Sequence, residues 1–196
     1  GTFGLIGAEP AAPSPAAAGA AQIIFLKPQT ADSWLTSYGL EQCRQSVTFK
    51  KEPALSTQSV TRANLRLSSQ TNGVIPFAWD EPAGKLYLDV NRNLDLTDDG
   101  VVAVAAHRSS QQQGFINIPL TVITPDGPRP LVIDVNFYRF GSGRTRDPHV
   151  QFALRTFWQG KLDWQGREWQ VGLVENIGPH VRLGEPQYLL LRPWQA

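Results

Sequence analysis

Length, composition and charge exclude several classes of protein. The chain has 196 residues, which fits one domain with an extension and is long enough to bury a core without disulfides. Its net charge of +1 gives no reason to expect a nucleic-acid partner or an anionic membrane surface. No apolar run approaches the roughly 18 residues that a membrane span needs. The single cysteine, Cys43, excludes an intramolecular disulfide and is expected to be a buried thiol.

Residues 1–21 are rich in Ala, Pro and Gly, a composition that builds no core and favours an extended arm. We therefore divide the chain into this arm and a single domain, 22–196. Phe3, Leu5 and Ile6 are the side chains expected to anchor the arm on its own domain or on a partner protein. The sequence contains no Met, even at its start, which predicts a processed chain. Removal of a signal peptide is one route to such a chain and predicts a periplasmic or extracellular location.

The domain is predicted to be built from strands, with one helix near its start. Residues 22–27 form a predicted strand that ends at Pro28, and residues 32–45 form a predicted short helix. From residue 46 onward, short apolar segments alternate with Pro, Gly, Asn and Ser, and one of them, 150–155, places large apolar residues at every second position. The pattern predicts an all-β fold, an antiparallel β-sandwich or barrel-like domain with one short helix and an extended N-terminal arm.

The densest chemistry lies in residues 86–100, LYLDVNRNLDLTDDG. Its oxygen-bearing side chains are Asp89, Asn91, Asn93, Asp95, Asp98 and Asp99. Four carboxylates so close together repel one another unless a cation neutralises them. Ca²⁺ takes roughly 6 to 8 oxygen ligands, which a tight turn of Asp and Asn can supply in part. The pattern therefore predicts a Ca²⁺ site, while Asx-turns without an ion are the alternative.

The first half of this segment resembles the loop of an EF-hand or a dockerin, in which Asp and Asn alternate with other residues. Two positions depart from that loop. Leu94 stands where the turn requires Gly, and Gly100 stands where a bidentate Glu completes the ligand set. Because strand-forming residues flank the segment on both sides, we expect a strand-loop-strand frame rather than a helix-loop-helix frame.

A broader resemblance joins this loop to residues 160–176, GKLDWQGREWQVGLVEN. Together they resemble uncharacterised secreted bacterial β-proteins, which carry such an Asp/Asn loop and a later hairpin that ends in a second acidic site. In this chain the second site is reduced to Glu175 and Asn176. The resemblance implies a secreted β-domain with a degenerate calcium loop, and it implies no activity.

Three tryptophans, Trp158, Trp164 and Trp169, lie close together on a predicted hairpin. If they face outward, their rings can stack on sugars or anchor a protein partner. If they face inward, they belong to the core, as Trp usually does. A carbohydrate-binding module is therefore an alternative function.

Enzyme motifs with a local signature, such as a nucleophile elbow, a phosphate-binding loop or a dinucleotide fingerprint, are absent from the sequence. A glycosidase needs only two carboxylates about 5 to 9.5 Å apart, for which Asp80 and Asp134 are a candidate pair. An ion pair with Arg139 or Arg155 is the other explanation for Asp134, which lies within an apolar segment. The leading prediction is a non-enzymatic, calcium-stabilised accessory or structural subunit that binds a protein partner through its arm, with glycan binding and hydrolysis as alternatives.

Overall fold

The computed structural model describes residues 23–30, 37–43, 46–124, 127–139, 148–180, 182–183 and 186–194. The regular structure of these residues consists of strands and one 3-10 turn, Thr71–Gly73. In chain order the strands are β1 (Lys27–Thr30), β2 (Ser37–Gln42), β3 (Val60–Arg66), β4 (Val74–Asp80), β5 (Lys85–Leu88), β6 (Val102–Val104), β7 (His107–Arg108), β8 (Gln112–Thr124), β9 (Gly127–Tyr138), β10 (His149–Leu154), β11 (Thr156–Trp164), β12 (Arg167–Glu175) and β13 (Pro186–Pro193).

The strands form three antiparallel sheets. Sheet I has the order β3-β4-β5-β6, sheet II the order β2-β10-β9-β8-β7, and sheet III the order β1-β11-β12-β13. Most neighbours within a sheet are also neighbours in sequence, so hairpins with short or long loops make most of the connections. Between β11 and β12, for example, Gln165 and Gly166 have φ angles of 52° and 72°, as a two-residue hairpin turn requires.

Sheets I and II share one hydrophobic core, which makes the domain a β-sandwich and confirms the all-β prediction. The alternation of buried and exposed residues along β9 shows how the sequence builds it, since Leu131, Ile133, Val135 and Phe137 are buried while the residues between them are not. Their partners in the core come from β4 and β5 of sheet I. Hydrophobic burial on one face of each sheet therefore holds the two sheets together.

An aromatic group lies at the centre of this core. The ring of Phe137 stacks on Trp79 with a centroid distance of 4.3 Å and contacts Phe77 at 5.4 Å and Phe115 at 6.0 Å. The indole N–H of Trp79 donates a hydrogen bond of 2.9 Å to the side-chain oxygen of Gln113. The one polar atom of this group is thus satisfied inside the core, as a buried donor requires.

Sheet III has a small core of its own, in which Phe157, Val174 and Leu190 pack together. The chain passes directly from sheet II into sheet III, since a single residue, Arg155, separates β10 from β11. The backbone N–H of Arg155 donates to the carbonyl of Val132 at 2.7 Å. Sheet III therefore extends the sandwich rather than closing it into a barrel.

The helix predicted over residues 32–45 is wrong where the structure describes it. Residues 37–42 form β2, which pairs in full with β10 from Ser37 opposite Leu154 to Gln42 opposite His149. A complete ladder to a neighbouring strand outweighs a short helix that contains Gly39. Residues 31–36 and 44–45 lie outside the described part of the chain.

The first strand begins later than the sequence predicts, at Lys27, and includes Pro28 instead of ending there. Among the described strands β1 pairs only with β11, so it is an edge strand, where Pro can be tolerated because one side of the backbone needs no partner. Within the described residues, no helix combines the length and the hydropathy needed to cross a bilayer.

Replacing Phe137 with Ala should lower the free energy of unfolding by about 3–5 kcal/mol, because it removes the ring on which the central aromatic contacts converge. Leu189→Ala is the control, since Leu189 is 58% exposed, and it should change stability by less than about 0.5 kcal/mol. Denaturant unfolding measures both variants. Equal losses would contradict the placement of the core.

Candidate functional site

The acidic segment forms a loop between β5 and β6, so the strand-loop-strand prediction is confirmed. The two ends of the loop are held by backbone hydrogen bonds. Asp89 N–H donates to the carbonyl of Pro76 at 2.9 Å, and Leu88 N–H donates to the carbonyl of Val101 at 3.2 Å. The loop is therefore anchored on sheet I at its base.

The side chain of Asp89 organises the first half of the loop. Asp89 is fully buried, and its two oxygens accept the backbone N–H groups of Asn93 at 3.1 Å and Leu94 at 2.9 Å. The side-chain oxygen of Asn91 also accepts the Asn93 N–H, at 2.9 Å, and that of Asn93 accepts the N–H of Asp95, at 2.7 Å. The contacts of the two asparagines, each with the N–H two residues on, are Asx-turns, and together with the Asp89 contacts they fold the chain back on the buried carboxylate.

Leu94 adopts the backbone conformation for which related loops use Gly. Its φ angle is 68°, in the left-handed region that L-residues rarely occupy. The Leu94 side chain packs against a cluster that includes Phe49, Tyr87 and Leu96. Burial of this side chain offsets part of the backbone strain, so the turn forms despite the missing Gly.

The second half of the loop brings two more carboxylates against the first. The Asp98 oxygens accept the side-chain N–H groups of Asn91 at 3.1 Å and Asn93 at 2.7 Å. One oxygen of Asp99 accepts the backbone N–H of Asn91 at 3.0 Å, while the other is buried and has no hydrogen-bond partner. Asp89, Asn91, Asn93, Asp98 and Asp99 are thus linked in one hydrogen-bonded group.

This arrangement leaves negative charge that the loop itself does not neutralise. The pKa of Asp99 is raised above its ordinary value, first because the carboxyl is partly buried and then because the charges of Asp89 and Asp98 lie nearby. These effects outweigh the opposing effect of the backbone N–H groups of Asn91 and Val90. The unpartnered, buried oxygen of Asp99 belongs to the same carboxyl. A cation at this position would pair with the free oxygen of Asp99 and would offset the repulsion from Asp89 and Asp98.

Asp95 differs from the other predicted ligands. Its carboxylate accepts the backbone N–H of Thr97 at 2.9 Å and the Thr97 hydroxyl at 2.5 Å, and it lies 3.5 Å from the Nζ of Lys51. The hydrogen bonds from Thr97 lower the pKa of Asp95. Its side chain therefore fastens the loop to residue 51.

The donor chemistry of the loop suits a hard cation. The five linked residues offer only carboxylate and amide oxygens, the ligand types that Ca²⁺ takes. Among the described residues, no group of three or more His, Cys, Asp or Glu side chains is arranged to hold a metal ion without further ligands. A Ca²⁺ ion would therefore have to draw on the amide oxygens of Asn91 or Asn93 as well as on the carboxylates.

Comparisons with family models, curated proteins and solved structures find no match. The function is therefore argued from the chain's own residues.

The tryptophans do not form one surface. Trp164 and Trp169 are neighbours, with ring centroids 6.2 Å apart and planes tilted by 56°. Trp158 is engaged elsewhere, since its indole N–H donates to Glu175 at 2.8 Å and the Arg129 guanidinium lies 5.2 Å from its ring centroid. Of the three predicted residues, only Trp164, which is 53% exposed, presents a large accessible ring.

Glu175, the remnant of the predicted second acidic site, is neutralised within the protein. It is buried, and its carboxylate lies 2.8 Å from the guanidinium of Arg129. The sequence carries no local signal for this pair, because Arg129 lies 46 positions earlier on another sheet. The ion pair leaves no free charge for a second cation.

The candidate hydrolytic carboxylates have structural partners. Asp134 accepts the backbone N–H of Asn117 at 2.8 Å and lies 3.8 Å from Arg155, which confirms the ion-pair explanation. Asp80 accepts the backbone N–H groups of Ser56 at 2.8 Å and Ala83 at 3.1 Å, so it caps turns. The predicted arm anchors Phe3, Leu5 and Ile6 lie outside the described residues.

Replacing Asp89 with Ala should destabilise the protein even without Ca²⁺, by about 1–3 kcal/mol, because it removes the acceptors of two backbone N–H groups. Asp98→Ala is the matched control, since Asp98 is exposed and accepts only side-chain donors. Urea unfolding in EGTA compares the two. A larger loss in Asp98→Ala than in Asp89→Ala would contradict the central role of Asp89.

Proposed function

We propose that the loop from Asp89 to Gly100 binds one Ca²⁺ ion and that the domain is a non-enzymatic, extracytoplasmic accessory subunit of a larger assembly. The observation that carries the calcium proposal is the carboxyl of Asp99. It has a buried oxygen without a hydrogen bond, and its pKa is raised by burial and then by the neighbouring carboxylates of Asp89 and Asp98. Asx-turns alone do not require a charge at Asp99.

Calcium fits this loop better than a transition metal. The candidate ligands are all hard oxygens, whereas zinc sites use Cys and His. The loop lacks the bidentate Glu of a high-affinity site, so we expect an affinity in the range of extracellular modules, roughly 10⁻⁴ to 10⁻³ M. A site this weak fills only where Ca²⁺ is abundant, which supports a location outside the cytoplasm, as does the resemblance to secreted β-proteins.

The proposed role in an assembly rests on exposed apolar surface. The exposed large hydrophobic side chains fall into two groups, one on sheet III and one beside β6 and β8. Large exposed apolar patches on soluble domains mark interaction sites. On sheet III, Ile24 and Leu26 pack over Gly160, where an added Cβ would lie 2.7 and 2.8 Å from their side chains. Residues 24–26 thus lie against sheet III, so the arm that precedes them leads to this apolar surface. This position supports docking of a partner through the arm and its side chains Phe3, Leu5 and Ile6.

The carbohydrate-binding alternative has less support. A sugar-binding platform uses aromatic rings that are exposed and aligned, but Trp164 and Trp169 are tilted by 56° and Trp158 is bonded to Glu175. The aliphatic side chains of Leu189 and Leu191, both at least half exposed, lie on the same sheet. This surface resembles a protein contact more than a glycan site.

The calcium proposal predicts that Asp99→Asn raises stability without the ion and reduces the stabilisation that the ion provides. In EGTA at neutral pH the variant should be more stable than the wild type, because a carboxyl whose folded pKa is raised destabilises the fold once it is ionised. In Ca²⁺ the wild type should gain about 1.4 kcal/mol at tenfold excess over its Kd, and the variant should gain less. Thermal melting in EGTA and in Ca²⁺ measures both effects.

Asp163→Asn, an exposed change on sheet III, is the control and should melt like the wild type in both buffers. Identical melting of the wild type in EGTA and in Ca²⁺ would contradict the calcium proposal. In that case the loop would be a set of Asx-turns.

A further inference from the structure

In the described part of the chain, the sandwich is open along one side. β6 is the last strand of sheet I and pairs only with β5, while β8 pairs with β7 at Gln113 and Gly114 and has only β9 beside it beyond that point. Within the described residues, no ladder joins β6 to β8. The edges of two strands therefore lie beside one another without pairing.

The backbone of β6 presents hydrogen-bonding groups to this opening. Val101 accepts from Leu88 at 3.2 Å and Ala105 donates to Gly84 at 2.9 Å, so alternate residues of the strand turn their backbone toward β5. The residues between them, Val102 and Val104, consequently turn their N–H and C=O groups away from β5. A free edge of this kind is a template for another strand.

A groove follows the opening and is mostly apolar. A cavity of about 270 Å³ lies between residues 100–104 and 116–119, and Val101 and Pro119 also line a second cavity of about 710 Å³ beside the acidic loop. Val102, Val104 and Ile116 are 46%, 68% and 51% exposed along it. The free edge is thus accompanied by uncovered apolar side chains.

One end of the groove is acidic. The charged residues that line the larger cavity are Arg92, Asp98 and Asp99, one cation and two anions, so the lining is negative by one charge. The guanidinium of Arg92 donates to the backbone carbonyl of Asn72 at 2.6 Å, whereas one buried oxygen of Asp99 has no partner. A basic group complements this end of the groove.

We propose that the free edge of β6 accepts an extended segment of a partner protein, which adds a strand to sheet I alongside the groove. Its backbone pairs with Val102 and Val104, its alternate apolar side chains enter the groove, and a basic side chain reaches Asp98 and Asp99. Only an extended peptide offers N–H and C=O groups at the spacing of a strand. The inference rests on the interaction role proposed above. Pairing with Val102 and Val104 does not need the bound ion, whereas the basic side chain and Ca²⁺ would compete for Asp98 and Asp99.

The probe is a short synthetic peptide that alternates valine and threonine and carries lysine at both ends. Titrated into the isotope-labelled protein in EGTA, it should shift the amide signals of Val102, Val104 and Ile116. The signals of Leu189 and Leu191 on sheet III should stay in place. The same peptide with glutamate at both ends should bind more weakly, and Asp98→Asn should reduce the difference between the two peptides.

N-methylation of the peptide provides the matched control for strand pairing. Methylating one alternate set of its amides removes the donors that face β6, and methylating the other set leaves them intact. One isomer should therefore bind about tenfold more weakly than the other, since two backbone hydrogen bonds are lost.

Equal binding of the two isomers, shifts confined to sheet III, or no shift at millimolar peptide would overturn the proposal. Shifts at Val102 and Val104 that depend on protein concentration without any peptide would identify a second copy of the chain as the occupant instead. Repeating the titration in Ca²⁺ separates the two proposals. The shifts at Val102 and Val104 should persist, whereas the advantage of the lysine peptide over the glutamate peptide should shrink if the ion binds Asp98 and Asp99.

Discussion

A buried carboxylate that accepts two backbone N–H groups determines the geometry of the acidic loop. Asp89 follows β5 directly, and its oxygens hold the N–H groups of Asn93 and Leu94. Burying a charge is costly unless hydrogen bonds satisfy it, and here the backbone supplies them. The turn around Asp89 brings Asp98 and Asp99 against the side chains of the first half and also leads the chain into β6, which forms the open edge of sheet I.

The site therefore combines a satisfied carboxylate with an unsatisfied one. Asp89 has its hydrogen bonds, while Asp99 is partly buried with one oxygen unpartnered and a raised pKa. The excess charge lies at one end of an apolar groove whose walls are two strand edges. A cation in the loop and a basic side chain in the groove are two ways in which this charge can be compensated, and both follow from how Asp89 folds the chain.

The sequence predicted the strands well because burial on one face of a sheet imposes a period of two. The apolar residues at alternate positions in β9 and β10 are those that form the core. The sequence-based prediction failed for residues 37–42. Their pairing with β10 outweighs their local helical preference, and no local pattern indicates that β10 is the partner. The loop residues were identifiable because they are close in sequence. The sequence did not reveal the pairing of Glu175 with Arg129 or the open edge of β6, since both depend on contacts between distant segments.

Amide hydrogen exchange at the loop, followed residue by residue in EGTA and in Ca²⁺, tests the central claim most directly. Since the Asp89 carboxylate accepts the N–H groups of Asn93 and Leu94, these two amides should be protected in both buffers. Ca²⁺ should slow exchange further across residues 91–99 and leave sheet III unchanged. Rapid exchange of Asn93 and Leu94, or loop rates that Ca²⁺ does not alter, would contradict the account.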